Sequence, residues 1–169
     1  MTEVQTWLST NIDNTRLDDE HTYPAISDFC VMWAVFECTQ LADANVAVDE
    51  LAYIACRLER NGVDFQEPID YWKNRYIHNG TTNERFEKLG FTYDPHKNLV
   101  ASVLLCNETD AVKINHAILL IVYRLRNNLF HGNKDITRIH NQVENLNMAS
   151  KALINAVSAS GRHVYLGSA

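Results

Sequence analysis

Ile114, Ala117, Ile118, Ile121, Leu125 and Leu129 recur every three or four residues, so a helix capped at Thr109-Asp110 carries them as one apolar stripe. A stripe of that length commits the chain to burying one side of a long helix against other elements. The rest of the sequence offers partners of the same kind. Between Pro24 and Ala44, Ile26, Phe29, Cys30, Trp33, Phe36, Cys38 and Leu41 fall near helical spacing, with Pro in the first turn, where its missing N–H costs nothing. Further helices are predicted over 49–61, 68–78, 83–89, 95–107 and 135–159, several of them opened by acids or Pro and closed by Asn-Gly or Gly. The last is predicted to bury Ile136, Ile139, Val143, Leu146, Leu153, Ile154 and Val157. Only 6 Gly and 3 Pro in 169 residues disfavour an architecture of many short strands.

The expected fold is therefore all-α: one up-and-down helical bundle with additional short helices over residues 1–169. Residues 1–23 read as an N-terminal segment and loop, the segment anchored by Val4, Trp7, Leu8 and Ile12, and residues 161–169 as a loose tail. Cys30, Cys38, Cys56 and Cys106 form no CxxC pair and sit in apolar segments. They are expected to be small core residues of a reduced, cytoplasmic protein, with no zinc site and no other metal or cofactor. The start is acidic at Glu3 and Asp13 rather than basic, and the apolar runs, Ala117 to Tyr123 among them, are too short to span a bilayer. Neither a signal peptide nor a membrane partner is expected.

Charge is unevenly placed on a chain of net charge -6. Residues 1–50 hold ten acids against the single Arg16, whereas residues 113–140 hold Lys113, Arg124, Arg126, Lys134 and Arg138 against Asp135. A cationic strip on an acidic body can hold a short stretch of phosphate backbone. Arg124, Lys134 and Arg138 are the candidate phosphate contacts. Glu37, an acid in a largely apolar helix, reads as a helix-surface acid or as a partner for a basic residue near that strip.

The strip contains YRLRNNLFHGNK, where the long helix meets two arginines, two asparagines and a histidine before Gly132. Arg126 lies at the margin of the buried face, and Asn127 is one turn before His131. In a regular helix Arg126 and His131 point about 140° apart, so Gly132 is assigned a structural role in letting His131 turn toward the arginine. Cleaving RNA without a metal needs a base for the 2′-hydroxyl, charge stabilisation at the phosphate and a proton for the leaving 5′-oxygen. His moves protons near neutral pH, and Arg offers a planar, permanent cation. One histidine serves both proton transfers less easily than two, so two-fold pairing of two copies is expected to assemble a composite site.

RNNLFH, Arg126 to His131, resembles the signature of the HEPN superfamily, an Arg followed by a polar residue and then, after four to six intervening residues, a His. Its position late in the chain, at the end of a long helix with another behind it, is also similar. The resemblance implies a bundle of HEPN type, usually dimeric and often a metal-independent endoribonuclease in toxin–antitoxin, abortive-infection or CRISPR systems. Arg126 and His131 are then catalytic, Asn127 assists, RNA is the substrate, and an antitoxin or regulatory protein is a candidate partner. In one toxin branch a Tyr two residues after the His is adenylylated by the antitoxin; Asn133 stands there in this chain, so that control does not carry over. The alternative reading is a non-catalytic module of the same shape that binds RNA, a nucleotide or a protein.

Overall fold

The computed structural model describes residues 2–12, 20–41, 47–130 and 136–160. Its helices are α1 (Glu3–Asn11), α2 (Thr22–Gln40), α3 (Ala47–Arg60), α4 (Gln66–Tyr76), α5 (Glu84–Glu87), α6 (Asp94–Leu104), α7 (Ala111–Phe130) and α8 (Val143–Ala159), with a 3₁₀ segment at Ile136–Gln142. The described chain is thus all-α apart from one small hairpin. His131, Gly132 and Lys134, and the tail at 161–169, lie outside the described residues. Among the described residues, no helix is long and apolar enough to cross a membrane.

The core is organised around α7. α3, α6 and α8 all pack on it, while α2 and α4 pack on α8. Burial on α7 consequently spreads beyond the predicted stripe: Leu119, Leu120 and Val122 are as buried as Ala117, Ile118 and Ile121. A helix with partners on several sides is apolar most of the way round. One hydrophobic cluster joins Phe29, Trp33 and Phe36 of α2, Leu51 and Ile54 of α3, Trp72 of α4, Val100 of α6 and Leu153 of α8 to this centre.

Several details differ from the sequence reading. α4 stops at Tyr76, and Ile77–His78 pairs antiparallel with Thr81–Thr82, closed by Asn79 at φ 50° and Gly80 at φ 74°. Asn-Gly is the favoured pair for such a turn, because both central residues take the left-handed conformation. α6 stops at Leu104 rather than Asn107. Cys106 takes φ 61°, a conformation usually left to Gly, while its N–H donates to Val103 O (3.0 Å) and that of Asn107 to Ser102 O (2.9 Å).

The cysteines are not core residues: Cys38, Cys56 and Cys106 are exposed and Cys30 only half-buried. Of the four apolar residues expected to anchor α1 and its end, Leu8 and Ile12 are half-buried. Val4 and Trp7 are exposed, and the helix carries a capping box in which Thr2 Oγ1 accepts from Gln5 N–H (3.2 Å) and Thr2 N–H donates to Gln5 Oε1 (2.7 Å). On α8, Ile154 faces outward.

Candidate functional site at the end of α7

The last two turns of α7 present Tyr123, Arg124, Arg126, Asn127 and Asn128, which face in different directions and do different things. Arg126 is half-buried. Its Nη1 donates to Asn127 Oδ1 at 3.1 Å, and its Cζ lies 5.7 Å from the ring centroid of Trp33 and 5.4 Å from that of Phe130. Trp33, from α2, is itself packed against Phe36 at 5.6 Å and Tyr123 at 6.2 Å. The guanidinium therefore rests on an aromatic wall set by helix packing. A cation so placed gains about 0.5–2 kcal/mol according to how far it is desolvated.

Two observations separate this arginine from an ordinary helix-terminal cation. Its Nε is buried with no hydrogen-bond partner among the described residues. Among those residues no carboxylate pairs with it, Glu37 included, although Glu37 is half-buried on α2. An unmet buried donor costs about 1–3 kcal/mol. A charged fork carrying one is suited to an incoming anion.

Arg124 has a different task. Its Nε donates to Leu89 O at 2.9 Å, and its Cζ lies 6.0 Å from the Phe91 centroid. Burial pushes its guanidinium down from the ordinary value, yet arginine remains a cation. Asn128, buried, donates from Nδ2 to the carbonyls of Lys88 and Leu89, each at 3.2 Å. These two residues pin α7 to the turn after α5, where Gly90 sits at φ +68° and a Cβ would come within 3.3 Å of Arg124 Nη2.

Arg124 and Asn127 also line a cavity of about 410 Å³ with Asp49 of α3, Tyr93, His96 and Tyr123. Thus Asn127 touches both Arg126 and this cavity. The sequence reading missed Asp49, Tyr93 and His96, because three separate elements meet here only through tertiary packing. His96 meets Tyr93 edge-on at 4.8 Å and His116 at 5.8 Å. Burial lowers its pKa, and Asp49 opposes the shift.

His116 is lowered further, to about 4, first by burial and then by the charge of His96. Its Nε2 is buried with no hydrogen-bond partner among the described residues. A histidine held neutral in the folded state supports folding above its unfolded pKa near 6.5, and that support is lost as pH falls toward 4. After discounting for partial exposure, the loss is expected to be about 1–2 kcal/mol. Urea unfolding at a series of pH values, compared with His116→Gln, checks it: the gap between the two proteins should change between pH 6.5 and 4. Parallel curves would refute the assignment.

Arg138 lies apart from these groups, exposed on the 3₁₀ segment and bordering a second cavity that it shares with Leu125. Among the described residues, no group of three or more His, Cys, Asp or Glu side chains is placed to hold a metal ion. No protein-family profile, no curated protein and no solved structure matches the chain.

Proposed function

We propose that the chain is a metal-independent endoribonuclease of HEPN type, with Arg126, Asn127 and His131 as its catalytic group. The observation that supports this reading best is the treatment of Arg126: an arginine with no carboxylate partner among the described residues, tied to Asn127 and braced by Trp33 and Phe130. In the sequence, His131 follows Phe130 directly. Asn127 holds Nη1 of the guanidinium, which leaves Nη2 for phosphate oxygens.

In the proposed reaction His131 takes the proton of the 2′-hydroxyl, and that oxygen attacks the adjacent phosphorus. Arg126 stabilises the negative charge that builds on the phosphate oxygens. The bond to the 5′-oxygen breaks, and a second acid protonates that oxygen, giving a 2′,3′-cyclic phosphate and a 5′-hydroxyl. The His131 of a second copy supplies that acid in a two-fold dimer. A toxin or defence role, restrained by an antitoxin or another regulatory protein in the cytoplasm, accords with this chemistry.

The test is incubation of the purified protein with RNA in excess chelator, with the product ends identified by mass spectrometry beside Arg126→Ala. Cyclic phosphate ends made by the wild type and not by the variant are expected. RNA bound but left intact would move the chain to the non-catalytic binding reading. Cleavage that persists in the variant would remove Arg126 from the site.

A further inference from the structure

The cavity beside Asn127, of about 410 Å³, is lined by the start of α3, the turn leading into α6, and α7. A volume of that size is usual for a small-molecule site. Three of its lining residues are aromatic: Phe91 and Tyr123 are half-buried, whereas Tyr93 is 57% exposed. Tyr93 is nevertheless held in place, because its ring packs on His96 at 4.8 Å, and His96 packs in turn on His116 of α7 at 5.8 Å. A ring so held and still open to solvent gives a flat base a surface to stack on.

The polar groups of the same cavity carry opposite charges. Asp49, in the first turn of α3, is exposed and offers a carboxylate, while Arg124 is half-buried and permanently cationic. The two form no ion pair with each other. Arg124 Nε donates to Leu89 O at 2.9 Å, which fixes the guanidinium by its inner nitrogen, so the fork of Nη1 and Nη2 is the end that can meet a ligand. A cationic ligand would be repelled by Arg124 and an anionic one by Asp49. A neutral group with two donors on one edge and two acceptors on the next satisfies both. Among the four RNA bases only guanine has that pattern: N1–H and the N2 amino group are adjacent donors for the two oxygens of a carboxylate, and O6 and N7 are adjacent acceptors for an arginine fork. Those edges lie on neighbouring sides of the purine, so their partners must stand apart, as Asp49 and Arg124 do.

We infer that this cavity is the recognition pocket for a guanine base, with Asp49 on its N1–H and N2 amino groups, Arg124 on O6 and N7, and Tyr93 stacked on its face. Asn127 lines the cavity, and its Oδ1 accepts from Arg126 Nη1 at 3.1 Å, so the pocket and the proposed cleavage group share a residue. The placement of that guanine on an RNA strand, with its phosphate at Arg126, rests on the ribonuclease reading; the pairing of guanine with Asp49 and Arg124 does not. Cleavage at linkages beside guanosine follows from the two together.

Fluorescence anisotropy tests the pocket with uridine oligonucleotides, 2′-O-methylated throughout so that they cannot be cleaved through the 2′-oxygen, carrying one central guanosine, adenosine, cytidine or inosine. The guanosine strand is expected to bind roughly tenfold tighter than the adenosine and cytidine strands. Inosine, which lacks the N2 amino group, is expected to forfeit most of that preference. So is Asp49→Asn, an exposed and nearly isosteric change whose fold is checked by circular dichroism. The two losses should not add, because each removes the same contact. 7-Deazaguanosine, which lacks N7, should weaken binding in the wild type and in Asp49→Asn alike, since its partner is Arg124. Cleavage of unmodified RNA in excess chelator is followed on the same preparations. Guanosine-selective binding that depends on Asp49, without cleavage, keeps the pocket and ends the ribonuclease reading; cleavage by a protein that binds the strands without regard to the base does the reverse. GMP bound as tightly as the guanosine strand, with the same dependence on Asp49, assigns a free nucleotide as the source of the base. Equal binding of all the strands, a guanosine preference undiminished in Asp49→Asn, or no binding of any probe overturns the inference.

Discussion

Replacing His131 by alanine is expected to slow RNA cleavage by roughly 10²–10⁴-fold, the usual contribution of a positioned proton carrier. Arg126→Lys, which keeps the charge, is expected to lose roughly 10²-fold. The two changes report on different steps. A primary ammonium cannot span two phosphate oxygens as a guanidinium does, and it forfeits the planar contact with Trp33 and Phe130 that aims the group. Single-turnover cleavage in excess chelator gives the rates, and thermal unfolding shows whether either protein has lost its fold. Unchanged turnover in Arg126→Lys would mean that bare charge suffices and that the aromatic brace has no catalytic purpose. Unchanged turnover in His131→Ala would end the mechanism.

The largest effect on stability is expected at Trp72. It is fully buried on α4, within the cluster that joins α4 to α7 and α8, and it donates to Asn145 Oδ1. Trp72→Ala removes the ring and leaves a cavity, at a cost of about 3–5 kcal/mol. Against a total of about 5–15 kcal/mol for a domain, that is enough to populate the unfolded state. Trp72→Phe isolates the hydrogen bond, because Asn145 Oδ1 then retains only the Tyr76 hydroxyl at 3.4 Å. It is expected to cost about 1–3 kcal/mol. Urea melts of Trp72→Phe, Asn145→Leu and the pair together give the coupling: removing both partners should cost less than the two single changes added. Simple additivity would show that the indole contributes volume and nothing polar.

How much of this was legible beforehand depended on distance along the chain. The all-α architecture and the burial of Ala117, Ile118, Ile121 and Leu125 follow from local spacing, and local spacing predicted them. α2 shows the limit of that method. Phe29 through Phe36 are apolar at every position, so periodicity could not tell that Trp33 turns inward while Val31 and Cys38 turn out. The hairpin was hidden for another reason: Asn79-Gly80 ends a helix and makes a turn equally well, and only the pairing of Ile77 with Thr82 decides between them.

For the site, the contact of Arg126 with Asn127 joins neighbours in the chain, and the sequence reading grouped them. The brace from Trp33 and the cavity residues Asp49 and His96 arrive from distant helices, so nothing local announces them. The same holds for the second cavity, whose lining residues Arg75, Arg85 and Lys88 meet only once α4, α5 and the 3₁₀ segment are assembled.

The turn held by Arg124 and Asn128 has one further consequence. Lys88 and Leu89 border the second cavity, whereas Phe91, Thr92 and Tyr93 border the cavity beside Asn127, with Gly90 between them. Six consecutive residues therefore form a party wall between two rooms, fastened to α7 at the carbonyls of Lys88 and Leu89.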